Sequence, residues 1–187
     1  MRIISGEYGG RPLKASVSDE TRPTTDKIKE SMFNLIGPYF DGGIVLDLYA
    51  GTGALAIEAV SRGADEAYLI DTDPDAIKSI NKNIEITKDE EKFFVFRMPA
   101  AKALHTFLHK QITFDFVFID PPYASDSLVD DLEWMVVNEL LNTGALVVCE
   151  TSTDFQMPEH VGPLHLYKQK EYGQTLITIY EQEKLDE

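Results

Sequence analysis

From residue 44 to residue 150 the chain alternates short, almost wholly apolar runs with longer stretches in which apolar residues recur every three or four positions. The apolar runs predict strands over 44–48, 66–71, 93–98, 115–119 and 145–150; the periodic stretches predict helices over 53–62, 74–87, 100–110 and 126–141. An earlier helix opens at Arg22-Pro23-Thr24-Thr25-Asp26. Thr24 or Thr25 can cap it, and Asp26 lies favourably in its first turn. Ile28, Met32, Leu35 and Ile36 then recur on one face, and Gly37-Pro38 ends or distorts the helix. Apolar strands alternating with helices imply a mostly parallel sheet, covered on both faces and joined by right-handed crossovers.

The two ends read differently. Residues 1–20 are short, punctuated by Gly6, Gly9 and Gly10, and suggest a small hairpin outside the main core. At the other end, Leu164–Lys168 and Thr175–Tyr180 are strand-like runs with no helix between them, an antiparallel pair for one sheet edge. The expected organisation is a hairpin extension over 1–20 and one α/β domain over 21–187. No repeat, low-complexity tract or linker marks a second domain.

At 187 residues the chain can bury a substantial core. No apolar run approaches a membrane span, and Met1-Arg2-Ile3-Ile4-Ser5-Gly6 lacks a secretory h-region. The single Cys149 excludes an internal disulfide, so a reducing cytoplasm is the economical expectation, and its strand context makes it an inert core thiol. A formal charge of −15 argues against nonspecific attraction to nucleic acid. The first 30 residues nevertheless hold six Lys/Arg against five acids. A polyanion would therefore meet the N-terminal end.

Candidate chemistry begins at Val45-Leu46-Asp47-Leu48-Tyr49-Ala50-Gly51-Thr52-Gly53-Ala54-Leu55, which reads as strand, tight loop, helix. Gly51 and Gly53 let the backbone turn and approach a ligand, and the helix start offers free N–H groups to it. Gly51-x-Gly53-x-x-Ala56 fits a dinucleotide pattern but does not separate a nicotinamide, a flavin and S-adenosylmethionine. Asp71 ends the second strand at the spacing of a ribose-binding carboxylate, whereas Asp73 suits a cap for the helix at Pro74. Phe116-Val117-Phe118-Ile119 runs into Asp120-Pro121-Pro122-Tyr123 at the ligand-facing end of a central strand. Two rigid prolines and a carboxylate present fixed acceptors, and Tyr123 presents a flat face for a base. That combination suits gripping an exocyclic amine beside an electrophile; the bland alternative is a proline-rich turn capped by Asp120. His105 and His109 are spaced i, i+4 without the accompanying glutamate of a zinc motif, so no metal site is expected.

The Asp47–Gly53 and Asp120–Tyr123 segments resemble S-adenosylmethionine-dependent methyltransferases acting on nucleobase amines. Arg2-Ile-Ile-Ser-Gly-Glu-Tyr-Gly-Gly-Arg11, Arg22-Pro-Thr-Thr-Asp-Lys-Ile-Lys-Glu30, Ile57-Glu-Ala-Val-Ser-Arg-Gly63 and Tyr172-Gly173 resemble, more narrowly, the RsmD-type family of bacterial 16S ribosomal RNA guanine-N2 methyltransferases. The resemblance covers nearly the whole chain. It implies a class I Rossmann-like fold with a seven-stranded, mostly parallel sheet, an antiparallel C-terminal strand pair and an RNA-contacting N-terminal hairpin. It also implies S-adenosyl-L-methionine as cofactor and 16S rRNA or a 30S assembly particle as partner. Gly51 and Gly53 would lie beside the methionine part, with Tyr49, Ala50 and Thr52 in the same cofactor loop; Asp47 would orient that loop or hold the methionine ammonium, and Asp71 would take the ribose. Asp120, Pro121, Pro122 and Tyr123 would hold the guanine; Arg2, Arg11, Lys14, Arg22, Thr24 and Tyr123 would meet RNA. After the third strand the family commonly has Asn-Asp-Ala, whereas this chain has Met98-Pro99-Ala100, where Met98 would cover the adenine and backbone groups would read it. Rival readings are an N6-adenine or other base methyltransferase, an NAD-dependent oxidoreductase and a non-catalytic RNA-binding assembly factor.

Overall fold

A computed structural model describes residues 1–15, 25–122 and 126–184. Helix α1 (Asp26–Ile36) precedes β1 (Ile44–Asp47), α2 (Ala54–Ser61), β2 (Glu66–Asp71), α3 (Pro74–Thr87), β3 (Phe93–Arg97), α4 (Ala100–Lys110), β4 (Phe114–Ile119), α5 (Asp126–Val137) and β5 (Leu141–Ser152). Three strands close the chain: β6 (His160–Val161), β7 (Leu164–Tyr172) and β8 (Thr175–Gln182). They form one sheet in the order β3-β2-β1-β4-β5-β8-β7-β6. The first five strands are parallel, and β8, β7 and β6 each run antiparallel to a neighbour. The architecture is Rossmann-like α/β, with the strand order reversing between β1 and β4.

The sheet has eight strands rather than the expected seven. The extra one is β6, two residues paired with the start of β7, too short to leave a periodic signal. Beyond Leu166 the outer edge of β7 has no further strand beside it among the described residues, and Tyr167, Lys168 and Lys170 are exposed there.

Alternation divides the core into two layers. Val45, Phe118 and Val148 face α1, α2 and α3, whereas Leu46, Val117, Ile119 and Cys149 face α4 and α5. The helix expected to reach residue 141 stops at Val137. Glu139 takes φ 56°, and the Leu140 carbonyl accepts from the Phe114 N–H at 2.9 Å, so Leu140 and Leu141 leave the helix to join the sheet. Thr25 caps α1, its side chain accepting from the Ile28 N–H at 3.2 Å. No helix among the described residues is long and apolar enough to cross a membrane.

The N-terminal hairpin is not outside the core. Its two arms pair antiparallel around Arg2 and Pro12, and Ile3, Tyr8 and Leu13 are buried in the same layer as α1 and α2. Gly6 makes this approach possible: at φ +87° a Cβ would lie 1.9 Å from the Ser61 carbonyl oxygen. The tie beneath it is Glu58, which is 0% exposed. Its Oε1 accepts from the Ile4 N–H at 2.7 Å and faces the Lys29 Nζ at 3.3 Å. Its Oε2 accepts from the Ser5 N–H at 3.1 Å and the Arg62 Nε at 3.0 Å. Lys29, 1% exposed, also donates to the Arg2 carbonyl at 2.6 Å, and Arg62 donates to the Pro38 carbonyl at 3.1 Å. Burial lowers the Lys29 pKa and Glu58 opposes that shift.

Removing the carboxylate strands two buried cations and two backbone donors. Glu58→Ala should lower the unfolding free energy by about 3–5 kcal/mol in urea titration, and Glu58→Gln, which retains one acceptor, by less. Equal unfolding midpoints for Glu58→Ala and wild type would show that Glu58 does not hold the extension.

Candidate functional site

The carboxyl ends of β1, β2 and β4 reach one edge of the sheet, and the reversal between β1 and β4 opens the crevice where open α/β sheets bind ligands. Asp47 and Asp120 flank that opening because each follows an apolar strand whose register is set by its neighbour: Asp47 pairs with Phe118, two residues before Asp120.

The loop after β1 is tightly held. Leu48 and Ala50 donate backbone N–H groups to Phe118 and Ile70 at 3.1 and 2.8 Å, and Gly53 donates to Ala50 at 2.8 Å. At Gly51 (φ +58°) a Cβ would meet nothing within 4 Å, so the bare backbone faces open space. At Gly53 (φ +81°), by contrast, it would meet Leu69 at 3.1 Å; this glycine serves the turn into α2. Asp71 works on the same loop: Oδ2 accepts from the Gly51 N–H at 2.9 Å, and Oδ1 from the Asp73 N–H at 3.0 Å. Its carboxylate thus shapes the loop and remains at the crevice rim with lone pairs to spare. Asp73 caps α3, accepting from the Asp75 N–H at 2.9 Å. The Thr52 carbonyl accepts from the Asn83 side chain at 2.9 Å. Tyr49 donates to Asp131 at 3.3 Å, linking the loop to α5; burial, then Asp131, pushes its phenol up to about 12.

Asp47 is 2% exposed, and its Oδ2 is a buried oxygen without a hydrogen-bond partner. Burial pushes its carboxyl up to about 7; a hydrogen bond from the Ala56 backbone opposes the rise, and the Asp71 charge adds to it. Asp120 is raised too, by burial first, then by the charges of Glu150 and Asp47, and by a hydrogen bond with Glu150. Ile119 pairs with Cys149, so Asp120 and Glu150 leave adjacent strands side by side. Two carboxyl groups share a hydrogen bond only when one holds a proton. Such a site suits a cationic ligand: a buried acid with an unsatisfied oxygen, open space over Gly51 and a free acidic rim. The residues present therefore fit a cofactor bearing an ammonium group and a ribose.

Pro121 is half-buried and Pro122 exposed beside Asp120. Tyr123, Arg22 and Thr24 lie outside the described residues. Met98 is half-buried against the α4 layer, its N–H donating to the Asp71 carbonyl at 3.1 Å; Pro99 precedes Ala100 at the start of α4. Arg2 and Lys14 are exposed. Arg11 is engaged: its guanidinium donates to the Ile86 and Thr87 carbonyls, both at 3.0 Å, at the end of α3. His105 lies against the Trp134 ring, and no metal-binding group of three acids, histidines or cysteines occurs among the described residues. Glu150, Asn83 and Asp131 were not singled out from sequence. Only Glu150 left a trace there, as a lone acid closing an apolar strand.

The sequence profile of the family described as Conserved hypothetical protein 95 matches residues 1–181. YlbH of Bacillus subtilis is 42% identical over 180 residues, covering 96% of this chain and 98% of that protein. Ribosomal RNA small subunit methyltransferase D of Escherichia coli K12 is 31% identical over 183 residues, covering 98% and 90%. The solved structure of yhhF from Escherichia coli matches with a TM-score of 0.83 at 32% identity, over 98% of each chain.

The raised Asp47 carboxyl has a consequence for stability. The folded state keeps its proton up to about pH 7, whereas the unfolded chain loses it near 3.8, so this contribution declines as pH rises between those values. Asp47→Asn should therefore be more stable than wild type by about 2 kcal/mol at pH 8 and equal to it near pH 4. Thermal unfolding at both pH values checks this; an advantage independent of pH would contradict it.

Proposed function

The chain belongs to the RsmD-type family described as Conserved hypothetical protein 95, and on that premise we propose that it methylates the exocyclic N2 amine of a guanine in 16S ribosomal RNA. S-adenosyl-L-methionine supplies the electrophilic methyl group. The substrate is the small-subunit RNA within a 30S assembly particle. The observation that carries this reading is the position of Asp47 and Asp120 at the β1/β4 reversal, close enough for the charge of one to raise the other, beside a loop whose Gly51 backbone lies open.

Each residue then has a task. The free Asp47 oxygen holds the methionine ammonium, whose charge returns Asp47 to its ionised form. The Gly51-Thr52-Gly53 backbone admits the chain of the cofactor, Asp71 takes ribose hydroxyls, and Met98 with the Pro99-Ala100 backbone borders the adenine. Tyr49 and Ala50 complete the wall. On the far side Asp120 and the Pro121 carbonyl accept from the guanine amine, Pro122 keeps that turn rigid, and Tyr123 stacks on a base drawn out of its helix. Acceleration comes from holding the amine nitrogen in line with the methyl group and from negative charge where positive charge develops. Methyl transfer to the nitrogen would break the methyl–sulfur bond and leave S-adenosylhomocysteine; the proton the nitrogen then sheds would pass to Asp120 in its ionised form, the proton of the carboxyl pair resting on Glu150. The raised Asp120 carboxyl makes that acceptor stronger than an exposed aspartate.

Residues 1–20 form the RNA-contacting extension of a methyltransferase domain spanning 21–187. Arg2 and Lys14 supply exposed charge, and Arg22 and Thr24 would also meet RNA. Arg11 contributes by holding the extension on α3.

Incubation with labelled cofactor and 30S particles lacking the modification should place the label on one guanine N2; label on another base, or none, refutes the assignment. Asp120→Ala should reduce transfer at least about a hundredfold, with S-adenosylhomocysteine affinity within about twofold of wild type. Replacing Arg2 and Lys14 together by Glu should weaken RNA binding about tenfold at low salt. An unchanged dissociation constant would mean that RNA docks elsewhere.

A further inference from the structure

The carboxamide of Asn83 joins two segments that contact each other through no hydrogen bond of their own among the described residues. Asn83 lies on α3 and is 0% exposed. Its Oδ1 accepts from the Lys14 N–H at 2.8 Å. Its Nδ2 donates to the Lys14 carbonyl at 2.9 Å and to the Thr52 carbonyl at 2.9 Å. Both N–H groups and the carbonyl are therefore engaged, two bonds on the N-terminal extension and one on the glycine loop. An amide is planar, so the two bonds to Lys14 dictate where the remaining N–H points. If the backbone at Lys14 shifts, Asn83 turns and the Thr52 carbonyl, set between Gly51 and Gly53, loses its donor. The converse also holds. Leaving such a carbonyl without its donor is unfavourable.

We propose that Asn83 is a positioning residue that couples the two binding sites, so that RNA on the N-terminal extension and cofactor in the Gly51–Gly53 loop each raise the affinity for the other. The coupling rests on the reading of the chain as an RNA methyltransferase. RNA that holds the backbone at Lys14 keeps the amide in this orientation, and the Thr52 carbonyl then keeps the donor that sets the loop for the cofactor. Linkage makes the effect equal in both directions.

The experiment measures S-adenosylhomocysteine binding to the full chain by titration calorimetry, with and without saturating 30S particles that lack the modification. Wild type should bind the thioether about fivefold or more tightly with RNA present. Asn83→Ala should bring that ratio to about one while both ligands still bind. Asn83→Asp keeps the acceptor for the Lys14 N–H but loses the donor to the Thr52 carbonyl, so it should also lower the ratio, which keeps the test sound if Asn83→Ala folds poorly. A merely structural Asn83 would weaken thioether binding equally with and without RNA, and an unchanged ratio in both variants overturns the proposal. A wild-type ratio of one with RNA bound overturns the coupling alone. Thioether binding without any RNA binding overturns the substrate reading, and the coupling with it.

Discussion

A single buried carboxylate determines whether the N-terminal segment belongs to the domain. Glu58 sits on the short helix α2, immediately after the glycine loop, and takes two backbone donors from the extension, the ammonium of α1 and the guanidinium one turn further along its own helix. Desolvating three charges is costly, and such a cluster persists only when nearly every lone pair and proton is used. Here they are. The same cluster positions Arg62 over the Phe33 ring, 5.0 Å from its centre, and so fixes α1 against the sheet. The helix that supports the crevice and the strap that crosses it are thereby one unit.

The crevice itself works in the opposite sense. Asp47 keeps a buried oxygen without a hydrogen-bond partner, and burial raises it and Asp120 towards their neutral forms. On the function proposed above, a cation arriving at Asp47 would relieve this cost, the trade commonly met where a site must be ready before its substrate.

Much of this was legible from the chain because it is local. The Asp47–Gly53 turn, the Asp73 cap and the acid ending β2 depend on residues within a few positions of each other, and their side-chain chemistry leaves little choice of conformation. Contacts across long stretches of chain were not. Glu58 and Asn83 read as ordinary polar positions on helices; their partners lie 53 or 54 residues away for Ser5 and Ile4, and 69 away for Lys14. Arg11 carries a charge that suggested RNA, yet charge does not reveal direction, and its guanidinium closes a helix instead. Leu140 and Leu141 fit a helix or a strand equally well, and the Phe114 backbone settles the choice by offering a hydrogen bond.

The incomplete cover on β7 has a consequence for how the protein meets its own copies. An open strand edge invites another strand to add to it, and repetition of that step builds fibres. Here β6 shields the beginning of the edge, and past Leu166 any incoming strand would have to pass two exposed ammonium groups, on Lys168 and Lys170. In a chain with so many acids, these few lysines matter less for net charge than for place. They discourage the addition of a further strand along that edge.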